Sequence, residues 1–145
     1  MTLHSGVFSS CAWCVLTGRI TDDDVAGFVR HIRGIRPERP DALVIDIAHS
    51  VSLPNPMQRK QIVDAVGGME SKQLISGHAV VTNTAVARGV LQVVNWFVTP
   101  EFPEKIFRAP GEAVQWFATL APGFDRDGFL SELERRVPGF GQLRW

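Results

Sequence analysis

The amino-acid sequence predicts an α/β fold, a single domain built on a largely parallel or mixed sheet of about five strands with helical cover. Three observations carry this expectation. The runs A-L-V-I-D-I (42–47) and H-A-V-V-T (78–82) are continuous rather than alternating, the character of strands covered on both faces. Before and between them lie stretches with a helical apolar stripe, such as Val25, Phe28, Val29 and Ile32 at i, i+3, i+4 and i+7, the period of a helix with one buried face. Gly, Pro and Asn punctuate most of the junctions. The order is β-β-α-β-α-β-α-β-α with a C-terminal helix added, and parallel strands so connected require right-handed crossovers.

Residues 1–20 read as a pair of strands, with Val15, Leu16 and Ile20 in the second. Thr21 before Asp22, Asp23 and Asp24 has the form of a helix cap, with acids in the positively polarised first turn. Val25, Phe28, Val29 and Ile32 give that helix its inward face, and Gly34, Pro37 and Pro40 end it. Asn55 is the expected N-cap of the next helix and Pro56 its first residue, with Ile62, Val63, Val66 and Met69 inward. Gly77 is expected to precede the strand H-A-V-V-T. Thr84 opens a long helix to about Val98, which T-P-E-F-P stops. K-I-F-R-A is the last strand, and Pro110 opens a helix with Ala113, Val114, Phe117 and Leu120 inward. After Pro122 and Gly123, Phe129, Leu130, Leu133 and Val137 mark a further amphipathic helix leading to P-G-F-G-Q-L-R-W. Residues 1–121 then form the domain, and 122–145 a helical extension packed on or beside it.

The 145 residues suit one domain, and 45% apolar with 21% charged residues is ordinary for a globular protein. Fifteen basic and fifteen acidic side chains give zero formal charge, so the footprint of a nucleic-acid binder is missing. The opening M-T-L-H-S-G-V-F has no secretory-signal pattern. The most apolar stretch, 85–98, is interrupted by Arg88, Gln92 and Asn95, so no membrane span is expected. Two cysteines without a signal fit a reducing compartment, and a cytoplasmic location is expected.

Those cysteines, Cys11 and Cys14, stand in C-A-W-C, a spacing used by dithiol oxidoreductases and by zinc sites. In a strand, residues three apart point to opposite faces, where a disulfide cannot close. Redox motifs of this kind sit where a strand gives way to a helix, whereas here V-L-T-G follows. Zinc needs two further ligands, and His4, His31, His49 and His78 supply no closely spaced pair. Both cysteines are therefore expected as small buried core residues, with no metal and no cofactor. Asp46 with His49 and Ser50 or Ser52 invites a triad, but the loop A-H-S-V-S-L-P-N-P has no glycine and no nucleophile elbow. Neither glycine-rich phosphate motif occurs. No enzymatic activity is expected.

Binding surfaces are a better match to the pattern. Gln58, Arg59 and Lys60 make a polar patch at the start of the second helix. In helix 84–98, Val86, Val90, Val93 and Phe97 form one stripe, widened by Leu91, Val94 and Val98. Arg88, Gln92 and Trp96 define the opposite line. Trp96 is either an exposed anchor for a partner or lies beneath the C-terminal extension, where Phe140 and Trp145 are candidate covers.

The segment V-L-T-G-R-I-T-D-D-D-V resembles the strand–turn–helix opening of STAS domains, the anti-sigma-factor-antagonist fold. A-L-V-I-D-I is similar to their central strand ending in Asp, here Asp46. H-A-V-V-T-N-T-A-V-A-R-G-V-L and E-K-I-F-R-A-P-G-E-A-V-Q-W-F-A resemble their final strand–helix units, so the likeness spans roughly residues 6–121. Variant bacterial proteins of the STAS/SEC14 type look closer than typical antagonists. The resemblance implies a non-enzymatic signalling module that binds a protein partner. In typical antagonists a serine in a D-S-S-G-like motif is phosphorylated. The matching region here is S-L-P-N-P-M-Q, with Asn55 at the N-cap, and Ser50 and Ser52 precede it. Ser50, Ser52, Asn55, Arg59, Lys60, Arg88, Gln92 and Trp96 are the expected contact residues. An apolar helix rimmed by tryptophan could serve a homodimer equally well. A pocket for a small apolar ligand beside helix 84–98 is the competing expectation.

Overall fold

A computed structural model describes residues 3–34, 42–67, 75–89 and 102–145. Among these, five strands form one sheet in chain order: β1 (Leu3–Phe8), β2 (Cys11–Thr17), β3 (Ala42–His49), β4 (Ile75–Thr82) and β5 (Glu104–Phe107). β1 and β2 are an antiparallel hairpin, and β2 to β5 run parallel to one another. The helices are α1 (Asp22–Gly34), α2 (Pro56–Gly67), α3 (Pro110–Leu120) and α4 (Arg126–Arg136), with a 3₁₀ turn at Phe140–Gln142. Residues 85–89 are also helical. The expected α/β class and its order of elements are present.

A sheet whose spatial order equals its chain order, joined by right-handed crossovers, places α1 and α2 on the same face. The other face is left to α3 and α4. Side-chain alternation separates the two cleanly. Cys11, Trp13, Val15, Leu43, Ile45, Ile47, Ala79 and Val81 pack with Phe117, Phe129, Leu133 and Phe140 in one cluster. The alternate residues, among them Cys14, Val44, Asp46 and His78, face α1 and α2.

Local chemistry explains the element ends. Thr21 Oγ1 accepts from the Asp24 amide at 3.1 Å, and Asp24 Oδ2 accepts from the Thr21 amide at 2.9 Å, a reciprocal cap. Asn55 and Gln58 repeat the device on α2, at 2.8 and 3.0 Å. Gln58 Nε2 then donates to Asp22 Oδ1 at 2.8 Å and joins the starts of the two helices. β2 ends at Thr17, so Ile20 lies beyond the expected strand; Gly18, at φ 77°, turns the chain there.

Three expectations need correction. Gly77 lies inside β4, which begins at Ile75, and a Cβ there would displace the end of the Leu120 side chain of α3. Val63 is exposed rather than inward. Gln58, Ile62 and Ala65 take the inward line of α2 instead, which leaves Val63 turned away. Val86, which the apolar stripe of helix 84–98 would bury, is also exposed. The rest of that helix, with Gln92, Trp96 and the space proposed for a small ligand, lies outside the described residues, as does Met69. Residues 126–140 contribute Phe129, Leu133, Val137 and Phe140 to the main core, so the C-terminal helix packs directly on the sheet. No helix among the described residues is long and apolar enough to cross a membrane.

Candidate functional site

Two places bring polar side chains together. The first is the end of the sheet where β3 and β4 leave it. Ser50, at φ 51°, donates its amide to Asn83 Oδ1 at 2.7 Å, and Asn83 Nδ2 donates to Ser50 Oγ at 3.2 Å. Ser52 Oγ accepts from the Ile20 amide at 3.0 Å. Arg88 donates to the Thr82 carbonyl at 2.9 Å and lies back on the strand end. Asn55 is used as the α2 cap. Arg59 is exposed with no carboxylate partner among the described residues, while Lys60 pairs with Asp64 at 2.7 Å on the helix surface. Leu53, Met57 and Val63 are exposed around these cations, and Pro56, Arg59, Lys60 and Val63 line a shallow cleft. The structure thus gathers Ser50, Ser52, Asn55, Arg59 and Lys60 along one loop and helix start. Arg88 reaches only the neighbouring strand end.

The second place is the sheet face under α1 and α2. Val44 on β3 is opposite His78 on β4, which in turn is opposite Glu104 on β5, so Asp46 stands diagonally across from His78. His78 Nε2 meets Asp46 Oδ2 at 2.7 Å and Nδ1 meets Glu104 Oε2 at 2.8 Å. The ring also makes an edge contact with Phe102, at 6.0 Å between centroids. These side chains are largely enclosed, with exposures of 19% for His78, 21% for Asp46 and 14% for Glu104. Burial works against a charged imidazole. The hydrogen bonds and charges of Asp46 and Glu104 outweigh it and raise the His78 pKa to about 9. At neutral pH the ring is an imidazolium clamped at both nitrogens. It has no nitrogen left for a substrate.

His31 of α1 lies in the same region. Burial holds its pKa below the usual value, partly opposed by the charge of Asp46. Its Nε2 and Asp46 Oδ1 are both buried without a hydrogen-bond partner among the described residues. Cys14 is opposite Asp46 in register, and Cys11 is in the cluster on the other face. Both thiols are free and buried, and burial, reinforced by Asp46, pushes both pKa values up. Neither has the character of a nucleophile.

The structure gives a second reason against the grouping of Asp46 with His49 that the sequence already disfavours. β3 continues through His49, and alternation turns His49 to the opposite face. There His49 Nε2 meets the Arg144 carbonyl at 2.7 Å, and its ring contacts Trp145 at 4.8 Å. Trp145 therefore covers His49 and touches Phe140. His78, Glu104 and His31 were missed. The available signal was a histidine inside an otherwise apolar strand next to a strand carrying a lone aspartate. Among the described residues no group of three His, Cys, Asp or Glu side chains has the geometry to hold a metal ion. No protein-family model, curated protein or solved structure matches the chain.

Proposed function

We propose that this chain is a non-enzymatic, cytoplasmic regulatory module that acts by binding another protein. The observation that carries the reading is the exposure of Leu53, Met57 and Val63 beside Arg59 and Lys60 on the loop and helix that follow β3. Among the described residues, large apolar side chains elsewhere are mostly buried, so three such exposed groups around two cations have the make-up of a contact patch. The STAS resemblance of the sequence supports the same region, because it is where the antagonists carry their regulatory serine. Asn55 cannot be phosphorylated, and the hydroxyls of Ser50 and Ser52 already accept hydrogen bonds from Asn83 and from the Ile20 amide, which lie in the loops after β4 and β2. On this reading contact rests on shape and apolar area, without a phosphate switch.

Affinity capture from the source cytosol tests it, comparing the wild-type chain with a Met57→Glu/Val63→Glu variant shown by circular dichroism to be folded. One protein retained by the wild type and lost by the variant supports the patch. Equal retention by both removes this surface, and no retained protein removes the binding reading.

A further inference from the structure

We propose that Asp46, His78 and Glu104 form a proton-held latch that fastens β5 to the sheet, and that removing the second ring proton of His78 releases β5 while β1 to β4 stay folded. The reasoning begins with hydrogen-bond supply. An imidazolium has two N–H donors, and each here points at a carboxylate oxygen, one on β3 and one on β5. A neutral imidazole has one donor and one lone pair. One carboxylate must then face that lone pair at 2.7–2.8 Å, in a site where neither group is well solvated.

β5 is the element placed to yield. It is a four-residue edge strand, and none of its side chains is fully buried. By contrast β4 buries five of its eight residues. Among the described residues, β5 is also held by four paired positions and by Trp116 of α3, which meets the Phe107 ring at 5.6 Å and Lys105 Nζ at 5.6 Å. A neighbouring backbone bond, from the His78 amide to the Pro103 carbonyl at 2.9 Å, joins the same two residues' surroundings. β3 cannot yield in the same way, since Leu43, Ile45 and Ile47 anchor it in the core.

Among the described residues, few titratable groups face His78. They are Asp46 from β3 and Glu104 from β5, with His31 of α1 and Cys14 of β2 grouped around Asp46. On α2, Arg59, Lys60 and Asp64 are exposed and turned away from the sheet. The His78 pKa near 9 places the release on the alkaline side of neutrality.

Methyl NMR on the full chain tests this directly, following Ile106 in β5, Ile45 and Ile47 in β3, and the His78 ring carbons from pH 6 to 10.5. The expected result is that the Ile106 methyl moves to its unfolded position with the same midpoint as the His78 ring, while Ile45 and Ile47 keep theirs. A Glu104→Gln variant supplies the rescue. Its amide can donate to the lone pair of a neutral ring, so Ile106 should stay native across the range. The proposal is overturned if Ile106 keeps its position while His78 titrates, or if Ile45 and Ile47 leave with it at one midpoint. Release of Ile106 in Glu104→Gln at the wild-type pH also overturns it. If that variant does not fold, the wild-type series decides alone.

Discussion

The two faces of this sheet bury different kinds of chemistry. Under α3 and α4, Trp13, Phe117 and Phe129 are fully enclosed, and Phe117, Phe124, Phe129 and Phe8 follow one another in ring contacts of 5.5–5.8 Å. Under α1 and α2, the same strands present Asp46, His78 and Glu104, with Cys14 and His31 beside them. Apolar burial is non-directional and insensitive to pH, so the first face holds the fold under most conditions. A buried ion pair is weak support on balance, because desolvation consumes most of its Coulombic gain, and it depends on protonation. One face supplies stability and the other conditions it.

The comparison is broken first at the aromatic face. Phe117→Ala empties the centre of the larger core and should cost about 3–5 kcal/mol, read as a lower midpoint in urea unfolding. A loss below about 1 kcal/mol would mean that the cluster is not what holds the sheet. The polar face is sharpened by pH. His78 has a folded pKa raised from 6.5 to about 9, so its contribution is fully present below about pH 6.5 and disappears as pH rises through about 9. Unfolding free energy should fall by up to about 3 kcal/mol across that window, and His78→Gln should flatten the dependence. A flat wild-type profile between pH 6.5 and 10 would show that the ring gains nothing from its two carboxylates. The smallest effect belongs to the edge of the polar face. Thr21→Ala removes the hydroxyl that caps α1 and should cost about 1 kcal/mol in the same urea assay, leaving the pH dependence intact.

Much of the fold was legible because its signals are local. Thr21, Asn55 and Pro110 announce helix starts through side chains that act within one turn, and the runs at 42–47 and 78–82 announce covered strands without reference to neighbours. The latch was not legible, since it depends on which residues stand side by side. Asp46, His78 and Glu104 are scattered along the chain, and only the parallel register of β3, β4 and β5 brings them together. Alternation alone also tells against grouping Asp46 with His49. Residues 46 and 49 differ by an odd number, so a strand running through both must separate them. Gly77 shows the same division between local and distant causes. Its sequence context suggests a boundary, while the side chain packed against it is Leu120, which arrives from α3.

The hairpin at the start of the chain has a partner at the far end. Phe8 meets Phe129, Arg136 lies over the Trp13 ring at 5.7 Å, and α4 is the helix that touches β1 on this face. The hairpin is made before α4, so Trp13 lacks this part of its cover until the chain has been made past residue 136. Contacts this remote in sequence slow folding and prolong the exposure of apolar surface. Among the described strands, the hairpin thus waits longest for this part of its cover, which α4 supplies.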